Sequence, residues 1–135
     1  MDIAFEKSGG LIPAIIQDDA LGDVLMLGFM NAESFELTQR SGEVVFFSRS
    51  RNKLWKKGES SGHVLKVCDI RIDCDADAVL IRVNSVGPGV CHEGYRSCFF
   101  RSVDQNGVAR VIAERTFSPD AVYAPANSRP NHEAK

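Results

Sequence analysis

No stretch of this chain is apolar for long enough to suggest a membrane segment. The longest hydrophobic run is "VLMLGFM", Val24–Met30, far short of the roughly 20 residues a spanning helix needs. The N-terminal "MDIAFEKSGG" lacks the basic start and extended apolar core of a secretory leader, so the cytoplasm is the expected location. An excess of one charge is also missing. Sixteen Lys and Arg face eighteen Asp and Glu, a net charge of −2, and no global positive field draws the protein to nucleic acid or a lipid surface. Cysteine is scarce, and none of the four (Cys68, Cys74, Cys91, Cys98) pairs with another two to four residues away. That excludes the usual structural zinc knuckle. In a reducing cytoplasm these thiols are expected to bind metal or take part in catalysis rather than form disulfides.

What is present suits one compact domain. The 135 residues are 44% apolar, enough for a packed core. "LIPAII" and "VLMLGFM" read as a hairpin joined by "QDDALGD". Asn31 is placed to cap a short helix, "AESFELTQR", with Gly42 as its stop. "EVVFFS" reads as a strand and "RSRNKLWKKGESSG" as a polar loop. "HVLKVCDIRIDCD" and "AVLIRVNSV" read as two strands turning at Ala76–Asp77. "GPGVCHEGY" is a loop, and "RSCFFRSV" and "VARVIAERTF" form a last hairpin around "DQNG". The segment from Ser118 is rich in Pro and Asn and is expected to be loosely ordered. The fold class is therefore α+β: a small single domain of mostly antiparallel strands with one or two short helices.

Three features carry chemistry. In "IDCDADAVLIRV" an extended backbone would put Asp73, Asp75 and Asp77 on one face and Cys74 on the other. Three carboxylates suit a hard divalent cation and a thiolate suits zinc. A helix–loop–helix calcium site is excluded, because its sixth and twelfth positions would be Ala78 and Asn84 rather than Gly and Glu. The plain alternative is a solvated acidic turn. Cys91 and Cys98, with six residues between them in "CHEGYRSC", join Cys74 as three thiols in separate segments. Three protein ligands with a position left for water is the pattern of catalytic zinc, which makes hydroxide available near neutral pH. Cys68, mid-strand in "LKVCDI", is read as a buried thiol. Finally, "RSRNKLWKKG" clusters Arg49, Arg51, Lys53, Lys56 and Lys57 around Trp55, followed by Ser60 and Ser61. Cations beside an aromatic ring, then hydroxyls flanked by glycines, fit a phosphorylated nucleotide; alone, the segment reads more readily as an ordinary solvated loop.

The markers "LMLGFMN", "FFSRSRNKLWKKGESSGH", "IDCDADAVLIRV" and "GPGVCHEGYRSCFF", in this order from about Val24 to Arg101, resemble the phosphoribosyl-AMP cyclohydrolase family of histidine biosynthesis. The domain is read as residues 1–117, with 118–135 as a tail that the resemblance does not cover, and the resemblance implies an intertwined homodimer. It implies one zinc per subunit on Cys91, Cys98 and a Cys74 from the partner subunit, and one magnesium on Asp73, Asp75 and Asp77. The implied reaction is hydrolysis of the C6–N1 bond of the adenine ring in phosphoribosyl-AMP. The basic segment then faces the two terminal phosphates, and His92 or His63 can move protons at neutral pH, although a lone histidine is often structural. Glu93 stands where many relatives carry threonine. The chain stops too early for the pyrophosphohydrolase domain to which some relatives are fused, so that activity is not expected. Two rivals remain. A zinc nucleobase deaminase needs P-C-x-x-C and H-x-E, which "CHEG" and the six-residue gap do not supply. A non-catalytic nucleotide-binding module leaves the cysteines and aspartates without a role.

Overall fold

The computed structural model describes residues 2–122. Its centre is a four-stranded sheet in the order β2 (Val24–Met30), β1 (Ile12–Asp18), β6 (Val79–Ser85), β5 (Leu65–Ile72). Strands β1 (Ile12–Asp18) and β2 (Val24–Met30) form the expected hairpin. Buried Asp18 closes its turn: its side chain accepts from Leu21 N at 2.6 Å. Asn31 then caps helix α1 (Ala32–Ser41) through a reciprocal box with Ser34, and Gly42 ends it at φ 76°. Both features were legible from residue type, since a short oxygen-bearing side chain satisfies the first free N–H groups and glycine accepts the left-handed cap.

The polar segment after β3 (Val45–Ser48) is not all loop. Lys53–Lys56 form a strand, β4, antiparallel to β3. Its outward residues are charged, but Trp55 lies opposite Phe46 with ring centroids 5.1 Å apart, and this cross-strand aromatic pair outweighs the polar composition. Asn52 makes the tight connection at φ 52°, a conformation that asparagine tolerates better than most residues.

Strands β5 (Leu65–Ile72) and β6 (Val79–Ser85) pair as a second hairpin. The inner strands β1 and β6 run parallel, so the sheet is mixed rather than wholly antiparallel. The two hairpins are sequence-local, but their junction is decided by burial. Ile12, Ala14 and Ile16 of β1 and Val79, Ile81 and Val83 of β6 lie in one core. The excursion from β2 to β5 through α1, β3 and β4 helps cover that face, with the Phe46 ring seated on Gly28. A Cβ added at Gly28 would fall 2.5 Å from the ring.

Two expectations about the cysteine-bearing strand are corrected. Cys68 is exposed, not buried. It is the extra residue of a bulge, for Val67 pairs with Val83 and Asp69 with Arg82. The bulge moves the core-packed positions from Val67 to Ile70 and Ile72 and leaves Cys68 outside the ladder. Residues 73–77 are a turn rather than continued strand, with Ala76 at φ 62°. The last hairpin is shorter than expected, β7 (Arg101–Val103) with β8 (Ala109–Val111), and leaves Cys98 in the preceding loop. Of the segment expected to be loose, Pro119–Val122 form a short helix, α2; the rest lies outside the described residues.

Candidate active site

The loop after β6 builds a thiol pocket by folding on itself. Val90 N donates to Arg96 O and Cys91 N to Tyr95 O, each at 3.1 Å, and Gly94 N returns to Cys91 O at 3.0 Å. Tyr95 stacks on Phe100 at 3.7 Å, and these rings with Cys91 and Cys98 form a small second core. Cys98 N donates to Leu25 O at 2.7 Å. Arg96 forks onto Asp23 at 2.9 and 3.1 Å, tying the loop to the β1–β2 turn. Cys91 is 3% exposed and Cys98 half-buried. A hydrogen bond from the Cys98 thiol holds the Cys91 thiol down to about 6, against the opposing effect of burial. Two soft donors therefore meet at one point, one of them readily a thiolate, as zinc requires.

The basic segment reaches this same loop. Lys57 Nζ donates to Val90 O at 2.6 Å and lies 5.8 Å from the Trp55 ring, so one of its donors supports the cysteine loop. Trp55 is half-buried against Phe46 and packs as a core-edge residue. His63 Nδ1 is 3.1 Å from Gly89 O. Ser61 Oγ accepts from His63 N at 3.1 Å. Arg49, Arg51, Lys53 and Ser60 are exposed, and the Arg49 guanidinium rests 5.0 Å from the Phe29 ring. His92, next to Cys91, is half-buried.

The aspartates do converge, but through a turn and not through strand alternation. Asp73 Oδ1 accepts from Asp77 N at 3.0 Å and Ala78 N at 3.2 Å, which folds the chain back on itself. Ligand oxygens of Asp73, Asp75 and Asp77 then lie within 4.8 Å of one another, the one such three-residue group among the described residues. A cation is already drawn there: Lys7 Nζ sits 3.3 Å from Asp75 and 3.2 Å from Asp77. The Asp75 carboxylate, hydrogen-bonded to Asp77 and Lys7, is held below its ordinary range, while its proximity pushes Asp77 up. Like carboxylates crowded together favour a shared proton or a bound cation. Cys74 is exposed on this turn and belongs to no three-ligand group with Cys91 and Cys98 among the described residues.

Two features of the site had no sequence signal. Lys7, in a 3-10 turn (Phe5–Ser8), meets carboxylates 68 and 70 residues away. Arg115, Thr116 and Phe117, read as strand, instead cross the cysteine loop. Arg115 Nε donates to Glu93 O at 2.7 Å, Thr116 Oγ1 to Pro88 O at 2.9 Å, and Thr116 N to Gly94 O at 2.8 Å.

Comparison with known proteins gives a consistent result. The sequence profile of the family described as phosphoribosyl-AMP cyclohydrolase matches residues 26–100. A protein of that name from Solibacter usitatus is 57% identical over 123 residues, covering 91% of this chain and 97% of its own. One from Desulforapulum autotrophicum is 50% identical over 91% of this chain and 98% of its own. One from Nitratidesulfovibrio vulgaris is 49% identical over 88% and 94%.

Proposed function

The chain belongs to the phosphoribosyl-AMP cyclohydrolase family, hydrolases of histidine biosynthesis, and from that membership we propose that it opens the adenine ring of phosphoribosyl-AMP by hydrolysing the C6–N1 bond. The domain responsible is residues 1–117. The observation that carries this reading is the meeting of the basic segment with the cysteine loop at Lys57–Val90 and His63–Gly89. It supports a site in which anion-binding residues lie beside metal-binding ones.

Both implied metals suit the residues present. The buried Cys91 and half-buried Cys98 supply two soft ligands for one zinc per subunit, and Cys74 of a second copy supplies the third. Zinc contributes Lewis acidity, making hydroxide available near neutral pH. The aspartate turn, which already holds the Lys7 ammonium, suits one magnesium per subunit with water completing its shell. Arg49, Arg51 and Lys53 take the terminal phosphates, with Ser60 and Ser61 as further donors, and Trp55 and Lys57 hold the base of that segment against the cysteine loop. As water adds at C6 and N1 departs, a proton must travel from oxygen to nitrogen. His63, packed against the thiol loop, and His92, within it, are the groups for that transfer. The working unit is an intertwined homodimer. An unpartnered apolar surface fits it: Phe99, Val103, Val108, Val111 and Ile112 are 53–65% exposed on and around the β7–β8 hairpin, where a monomer would gain by covering them. No helix among the described residues is long and apolar enough to cross a membrane.

The test is to follow ring opening of phosphoribosyl-AMP before and after chelation. Turnover should vanish with chelator and return on adding zinc and magnesium. In Asp75→Asn the magnesium needed for half-maximal recovery should rise while zinc content stays at one per subunit. Activity that survives complete metal removal would refute the metal-dependent reading. Deamination without ring opening would favour the deaminase class.

The phosphate role has its own measurement. A charge-assisted hydrogen bond is worth about 1.5–3 kcal/mol, and about 1.4 kcal/mol is ten-fold in affinity. Arg49→Ala or Arg51→Ala should therefore raise KM about ten-fold or more and flatten its salt dependence. Unchanged KM and salt response would make the segment a solvated face.

A further inference from the structure

We propose that the Arg115–Phe117 segment is a strap whose purpose is to position His63, with Phe117 as the positioning residue. The inference rests on the functional reading above, in which His63 can move the proton.

Three contacts hold the imidazole. Its Nδ1 lies 3.1 Å from Gly89 O. A carbonyl oxygen only accepts, so Nδ1 carries the proton and, in the neutral ring, Nε2 keeps the lone pair. The backbone of Gly87 lies against the ring: a Cβ there would sit 2.6 Å from Cδ2 and 2.8 Å from Cγ, so only glycine allows this approach. Phe117 closes the third side edge-on, with ring centroids 5.0 Å apart and planes at 87°. Without it, the ring would lose its aromatic neighbour on that side, and rotation about its outer bond would free Nδ1 from Gly89.

The strap is anchored for this task. Thr116 N and Phe117 N both donate to Gly94 O, at 2.8 and 3.3 Å. Thr116 Oγ1 reaches Pro88 O, and Arg115 lies over the Tyr95 ring at 5.1 Å while donating to Glu93 O. A Cβ at Gly94 would lie 2.6 Å from Phe117 O. The same short segment thus grips the loop on both sides of Cys91 and delivers one ring to His63. It lies beyond the residues matched by the family profile, 26–100. One tautomer of His63 is selected by the carbonyl, and the strap keeps it selected.

The experiment compares the parent with Phe117→Ala, Phe117→Leu and Phe117→Tyr. Long-range proton–nitrogen correlation spectra at mildly alkaline pH read which ring nitrogen of His63 carries the proton. The parent and Phe117→Tyr should show one tautomer, protonated on Nδ1. The alanine and leucine variants should show an averaged pair, because neither offers an aromatic edge. Positioned proton transfer is worth about 10²–10⁴-fold, so partial loss of position should lower kcat on the order of ten-fold, with KM within about two-fold. The leucine variant keeps the apolar bulk and decides the matter should alanine destabilise the fold. A single Nδ1-protonated tautomer in every variant, or parent kcat with an averaged ring, overturns the proposal. A parent with no ring-opening turnover would refute the functional reading alone, since the tautomer comparison is read without substrate.

Discussion

Cys98→Ser will yield a folded protein with no measurable ring-opening turnover and no stoichiometric zinc. Cys98 is half-buried and shares a hydrogen bond with Cys91, whose thiol is held down to about 6. A serine hydroxyl is nearly isosteric but stays protonated at neutral pH, so it cannot replace a thiolate ligand. Cys91→Ser should have the same effect on activity. Because Cys91 is 3% exposed and packs with Tyr95 and Phe100, that variant also risks the small second core, and Cys98→Ser is the cleaner probe. Zinc should fall from one per subunit to a trace by elemental analysis, with the far-ultraviolet circular dichroism unchanged. If turnover runs through a zinc-activated water, as proposed, losing the metal removes that activation, and the loss should reach several orders of magnitude. Full activity in a zinc-free preparation would end the zinc assignment.

Mixing two dead variants should restore activity. Cys74 stands exposed on the aspartate turn, away from any three-ligand group with Cys91 and Cys98 among the described residues. If the third ligand comes from a second copy, Cys74→Ser and Cys98→Ser subunits are each inactive as homodimers. Their heterodimer pairs the intact Cys91–Cys98 of one subunit with the intact Cys74 of the other. It therefore has one complete site and one lacking two ligands. Co-refolding equal amounts gives about half heterodimer by random pairing, hence roughly a quarter of parental activity if the two sites act independently. Zinc that binds only the assembled state also stabilises it by mass action, so the parent dimer should dissociate at higher dilution with zinc than without. A monomer in sedimentation with full activity would defeat the shared site, as would a heterodimer shown to form yet remain inactive.

Much of this molecule is legible in its sequence. Asn31 and Gly42 bracket α1 because a cap and a stop are properties of single residues acting on their neighbours. Two apolar runs around a turn-rich five-residue stretch become the β1–β2 hairpin for the same reason. The aspartates are close in sequence, so a single turn suffices to gather them even though the backbone there is not extended. The family resemblance rests on linear motifs, which the chain carries in order.

Tertiary structure decided the rest, because the partners lie far apart along the chain. Trp55 makes a strand of a polar segment by packing against Phe46. The parallel pairing of β1 with β6 exists because their buried faces complete one core, which neither hairpin can do alone. A bulge, set by the need to keep Ile70 and Ile72 inward, puts Cys68 in solvent. Lys7 reaches the aspartates across 68 residues, and Phe117 reaches His63 across 54 positions of sequence. Residue type and spacing report on what the backbone does over one or two turns. Which side chains then share a cavity depends on how whole elements exclude water from one another, and that is a property of the packed chain.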